Sequence, residues 1–393
     1  MCDMRESADV VVVGAGVQGA SLAFHLAQRG TKVLVLERQS VAAGATGRSS
    51  GFVRMHYDLR SDAELAWASF PYFQRWSELV GDGDCGFVQT GFLQLVTTDL
   101  EANLRANVAM HREMGIETRV VDAGVVADLV PGAITDDVAA AAFEPLSGYA
   151  DPSGTAAGFL AAARRHGARF MSGCRAVSID LQGDAVVGVT TERGSFATPI
   201  VVDVAGAWAG EVARTAGVDV PVQAWRHDTA YFGLPDGRGA DFPIVIDEMN
   251  EIYFRPEGHE TMLVGLEGGN EIGGSPDRPM AGLHSGAVED MIARVCRRVP
   301  WMEEGTLRTM HGGQDGITPD QHAILGAAGP DGFYLACGFS GTGFKTAPAV
   351  GLCLTELILD GVASTVDISA YGLERFAEGR ALVGDHPYGA LWR

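Results

Sequence analysis

Several things are missing from this 393-residue chain, and each absence narrows the possibilities. No apolar run approaches 18 residues, so the pattern contains no membrane-spanning helix. The six cysteines stand at 2, 85, 174, 296, 337 and 353, with no C-x-x-C pair. That removes metal-ligand spacing and a disulfide framework, and leaves free thiols in a reducing compartment as the expectation. Basic residues number 29 against 50 acidic ones, a net charge of -21. Duplex nucleic acid and anionic membrane surfaces would repel such a chain. No Ser–His–Asp pattern or metal cluster stands out. The first strand begins by Ala8, which leaves no room for a signal peptide, so a cytoplasmic location is expected.

Glycine, in contrast, is abundant. Its 52 copies are about twice average usage, and the 47% apolar content argues against disorder. The glycines therefore point to tight loops around a ligand. At this length two domains are expected.

Residues 8–13 form a β-branched apolar run that reads as a buried parallel strand. Glycines follow at 14, 16 and 19, then a helix over 17–29 and a second strand, Lys32–Glu37. Further along, 61–80 and 101–115 read as helices, as do 153–166, 284–299 and about 346–360. Strands are expected over 85–97, 168–204 and 222–268, with a glycine- and serine-rich loop at 41–51. No linker or repeat is visible, so a second domain is expected as an insertion.

The segment Gly14-Ala-Gly-Val-Gln-Gly19 fits G-x-G-x-x-G between a strand and a helix. Such a turn lets a pyrophosphate approach the backbone and face the positive end of the helix. Glu37 lies 23 residues after Gly14, at the end of the next strand, where a carboxylate meets a ribose diol. Three more small-residue loops follow: Gly44–Gly51, Val201–Gly210 and Gly338–Lys345. Together they favour an extended FAD over NAD.

At these residues, and at Gly148–Gly154 and Ile252–Gly258, the chain resembles the D-amino-acid-oxidase-like flavoprotein superfamily. It looks closest to the sarcosine oxidase and dimethylglycine dehydrogenase branch. The resemblance implies an α/β fold, a Rossmann-like FAD-binding domain with an inserted antiparallel-sheet substrate domain. The FAD domain would comprise 1–85, 145–215 and 310–393, and the substrate domain 86–144 and 216–309. Gly14, Gly16, Gly19, Glu37 and Arg38 would hold the ADP half. Thr46, Arg48, Ser49 and Ser50 would approach the pyrophosphate and flavin. Val177 would touch adenine, and Ala205, Gly206 and Trp208 would line the cofactor. Gly341, Thr342, Gly343 and Lys345 would sit near the ring. Arg54 and Lys345 would bind a substrate carboxylate, and Tyr253 would face the substrate, although strand alternation leaves a packing role equally open.

The implied activity is oxidation of the C–N bond of an amino-acid-like, N-methyl or cyclic amine to an imine by hydride transfer to flavin N5. Alternatives are an NAD(P)H-dependent flavoprotein hydroxylase and an electron-transfer subunit. The chain departs from the sarcosine oxidase pattern in four places. The covalent-flavin cysteine would fall near Gly313, and no cysteine lies between 297 and 336. FAD is therefore expected without a covalent link. The oxygen-activating lysine would fall near Leu263, and 239–277 holds no lysine. A histidine after it is replaced near Glu267, and the usual histidine of the glycine loop is Thr342. The electron acceptor, oxygen or another carrier, follows from these departures: dehydrogenase behaviour is expected over oxidase behaviour.

Overall fold

The structure, a computed structural model, describes residues 6–81, 83–268, 270–278 and 286–388. Its first layer is a six-stranded sheet. Val10–Val13, Val33–Leu36, Arg169–Met171, Val201–Asp203 and Phe333–Cys337 run parallel, and Ile324–Ala327 adds an antiparallel edge. Successive side chains of these strands enter opposite cores, as the pleat requires. Val10, Val12, Val33 and Val35 pack on one side with the helices Val17–Gln28, Pro152–Arg165 and Gly343–Asp360. Val11, Val13, Leu34 and Leu36 pack on the other side, beneath a three-stranded antiparallel sheet and the helix Ala209–Thr215.

The second layer system is an eight-stranded sheet built from 92–96, 119–121, 140–144, 223–233, 244–247, 252–257, 261–266 and 306–317. It is antiparallel except where Phe92–Val96 and Ile244–Asp247 run side by side. Val245, Ile252, Phe254, Met262 and Val264 face the helix Ala287–Arg298. Ile244, Ile246, Tyr253 and Leu263 face the opposite way, toward Phe52 and Tyr149 of the first unit. That second face roofs the site.

The helix expected over 284–299 is observed as Ala287–Arg298, and residues 284 and 285 lie outside the described residues. The expected helix over 61–80 is broken after Gln74 and resumes over Trp76–Leu79. The last helix starts at Gly343, earlier than its composition suggested, and carries Pro348 inside. Among the described residues no helix is long and apolar enough to cross a membrane.

Candidate active site

A cavity of about 570 Å³ runs from the end of the second strand to the roof sheet. Gly14 opens it at φ +119, and a Cβ there would lie 2.7 Å from the Val204 carbonyl oxygen. Gly19 does not line the cavity. A Cβ on it would sit 2.1 Å from the Gly14 carbonyl oxygen, so its absence lets helix and turn close. Glu37 ties the loop together by accepting from the backbone N–H groups of Ala15 (2.9 Å) and Gln39 (2.7 Å). Its remaining lone pairs can accept from a diol. Thr46 Oγ1 caps the helix by accepting from Val17 N–H at 3.0 Å. At the rim, Arg38 stacks on Trp208 at 4.1 Å and pairs with Asp277 at 2.7 Å, while Trp208 Nε1 donates to the same carboxylate at 2.9 Å. Hydrogen bonding from Arg38 holds Asp277 below its ordinary range.

The other end is built around Arg54. The segment carrying it is fixed by groups distant in sequence. Met55 N–H donates to Glu144 at 3.0 Å, His111 Nε2 lies 2.8 Å from the Tyr57 carbonyl oxygen, and His56 Nε2 lies 2.7 Å from Tyr388 Oη. The guanidinium stacks on Tyr57 at 4.3 Å and donates to the His56 carbonyl oxygen. His56, His111 and Glu144 form a buried trio with ligand-type atoms within 4.8 Å of one another. Burial, helped by Arg54, pushes both histidines down, His111 to about 4. The Arg54 guanidinium beside this trio would repel a metal cation, so the trio reads as the seat of Arg54.

Lys345 enters from the first turn of the last helix. It is buried, and its ammonium donates to the Gly341 carbonyl oxygen at 3.2 Å. Burial, with Arg54 adding repulsion, pushes it well below the ordinary lysine value, while Asp315 and Asp62 pull the other way. Asp315 is itself raised by burial and accepts from Gly341 N–H at 2.8 Å.

Tyr253 faces the cavity from the roof, edge-on to Phe52 at 5.3 Å, and burial raises it to about 12. His227, pushed down by burial to about 3, lines the same space. So does Glu267, which follows the strand Thr261–Leu266 and shares the parity of Leu263. Burial raises Glu267 well above the ordinary carboxyl value, with Glu248 and Asp247 adding to it.

A family model described as FAD dependent oxidoreductase matches residues 9–357. The chain belongs to that family. It is 29% identical over 387 residues to the mitochondrial sarcosine dehydrogenase of Mus musculus, covering 95% of this chain and 42% of that protein. It is 26% identical to a 4-methylaminobutanoate oxidase (formaldehyde-forming) of Paenarthrobacter nicotinovorans, over 93% of this chain and 45% of that one. The chain thus spans less than half the length of these relatives. Among solved structures, L-proline dehydrogenase from P. horikoshii superposes with a TM-score of 0.89 at 25% identity, covering 96% of this chain and 100% of that one.

The cavity fits the family's FAD. Its volume lies within the range of about 300–1,000 Å³ usual for small-molecule sites. The helix N-terminus and Glu37 stand at one end, and cations with a roofing sheet at the other. The expected residues Gly14, Gly16, Glu37, Arg38, Thr46, Arg48, Ser49, Ser50, Val177, Ala205, Gly206, Trp208, Gly341 and Gly343 line it, as do Arg54, Tyr253 and Lys345. Thr342 does not: its hydroxyl turns inward to the Phe339 carbonyl oxygen at 2.7 Å. Cys174 is a cysteine of the cavity wall, but its backbone N–H bonds the Glu37 carbonyl oxygen, at the nucleotide end. At Gly313 a Cβ would lie 2.9 Å from Arg48 Cβ, so the wall there is closed by arginine. His227, Gln314 and Asp315 line the cavity without any sequence pattern marking them, and Glu267 stands where the resemblance places a histidine. Strand alternation carries the signal for Glu267; the glycine-rich run around Gln314 and Asp315 carries none.

Proposed function

We propose that the protein oxidises the C–N bond of an amino-acid-like secondary or cyclic amine, with the substrate carboxylate held by Arg54 and Lys345. The carrying observation is two buried cationic side chains at the roofed end of the cavity. Burial and Arg54 weaken the hold of Lys345 on its proton, and an anion between the two would strengthen it. Arg54 offers a planar fork to such an anion. Tyr253 and Phe52 close the apolar side and exclude water. FAD, when bound, supplies the acceptor for two electrons and a hydrogen. Relatives whose names specify sarcosine, 4-methylaminobutanoate and proline support this substrate class.

The test is turnover of purified holoenzyme with an artificial dye across a panel of amines. N-methyl and cyclic amino acids should turn over well, and the same amines lacking a carboxylate poorly. Equal rates with and without the carboxylate would overturn the assignment. FAD is held without a covalent bond on this reading, so acid precipitation should leave the yellow colour in the supernatant. Colour in the pellet would contradict it and direct attention to His227.

A further inference from the structure

We propose that Glu267 meets the substrate's nitrogen and takes the extra proton of its ammonium form. This rests on the amine-oxidation reading above and goes one step further, to the group that makes the amine reactive.

Glu267 is 1% exposed, yet it lines the cavity. Neither carboxyl oxygen has a hydrogen-bond partner among the described residues. Buried polar groups are nearly always paired, and an orphaned one is costly. The neighbouring carboxylates are already engaged. Asp247 accepts from Arg298 at 2.7 and 3.1 Å, Glu248 from Gln94 at 2.8 Å, and Glu251 from Arg294 at 2.8 Å. Glu267 is therefore the acceptor left open toward the ligand space, on the same sheet face as Tyr253.

Its electrical surroundings come from every side. Glu248, Asp247 and Glu251 press on it from the neighbouring strand end and turn, Arg54 opposes them, and the Tyr253 phenol lies on the adjacent strand. His227 and Lys345 line the same cavity. Burial and like charges make Glu267 a stronger base than an ordinary carboxylate. An ammonium needs such a base, because an amine with a free lone pair is the form that can become an imine.

The step balances simply. One N–H bond of the substrate ammonium breaks, its electron pair stays on nitrogen as the lone pair, and the proton ends on a Glu267 oxygen. Where Glu267 starts protonated, its own O–H proton first leaves to water, and the carboxylate so formed takes the ammonium proton. Arg54 at one point and Glu267 at another thus orient a molecule carrying a carboxylate and an N–H-bearing nitrogen.

The experiment is anaerobic single-turnover flavin reduction by a saturating N-methyl amino acid, from about pH 6 to about pH 10, in wild type, Glu267→Gln and Glu267→Asp. Glu267→Gln should lose about 10²-fold in reduction rate near neutrality. The loss should shrink as pH climbs past the amine's own titration. Affinity for propionate, a carboxylate without nitrogen, read by perturbation of the flavin spectrum, should be unchanged. An unaltered pH profile in Glu267→Gln would overturn the proposal. If that variant loses its flavin, Glu267→Asp decides: a displaced profile supports the proposal and a wild-type profile defeats it. Wild type unreduced by every amine defeats the underlying reading instead, so the two failures are distinguishable.

Discussion

Arg54 carries its charge into a nearly dry place, and the surroundings are arranged to keep it there. Tyr57 gives it an aromatic face, and the backbone of His56 accepts from it. If it holds the substrate carboxylate as proposed, replacing it by alanine removes charge-assisted hydrogen bonds worth about 1.5–3 kcal/mol. Apparent affinity for substrate in Arg54→Ala should fall accordingly, and Arg54→Lys should recover only part of it, because the two-pronged geometry is lost. An unchanged affinity in the Arg54→Ala titration would remove Arg54 from the carboxylate site. Glu267 adds a second expectation, in stability. Its folded value is raised above the ordinary 4.5, mainly by burial. The folded chain therefore keeps a proton that the unfolded chain gives up above that pH. This contribution is whole below about pH 4.5 and drains away as pH rises toward the folded value. Glu267→Gln cannot ionise, so its melting temperature relative to wild type should climb as pH rises above about 4.5. A constant difference would show that folding does not raise Glu267.

At the scale of elements, the roof sheet depends on the helix Ala287–Arg298. Arg298 is fully buried and bonds Asp247 twice, with Asp137 at 2.8 Å on its outer side. Removing one partner of such a pair leaves a buried charge uncompensated, a loss of about 3–5 kcal/mol. Arg298→Ala should show that loss in urea unfolding, and it should disturb Glu248 and Glu267 beside it. A loss under about 1 kcal/mol would mean the pair is no better than a surface one. The same elements show which parts of the fold could be read in advance. The strand, glycine turn, helix and Glu37 are contiguous, so their chemistry is local and visible in sequence order. Sequence alone leaves Tyr253 and Glu267 open, because their facing is decided by which side the helix Ala287–Arg298 covers. Arg54 was nameable through resemblance, but its seat is assembled from residues 111, 144 and 388, which no spacing rule connects. The long strand Thr306–Ile317 is paired along Gln223–Gly233 despite Gly312, Gly313 and Gly316. Its glycines hide it from any propensity argument.

For the whole molecule the central matter is where electrons come from and where they go. Oxygen is reduced past a superoxide-like anion, which a fixed cation beside the ring stabilises. Leu263 lies in the roof core with no cation of its own. Arg255, opposite it in register, is committed to the Ser50 carbonyl oxygen, Glu257 and the Tyr149 ring. Burial and Arg54 weaken the hold of Lys345 on its proton, which makes it a poor fixed cation. Reduced enzyme mixed with aerated buffer should therefore reoxidise more slowly than it turns over with a dye, and the reverse order would establish an oxidase. The most direct test of the account is anaerobic mixing of the purified holoenzyme with N-methyl and cyclic amino acids and, separately, with NADPH, following the flavin absorbance. The amines should bleach the flavin, with one imine-derived product formed per flavin, and NADPH should not. Bleaching by NADPH with the amines inert would contradict it.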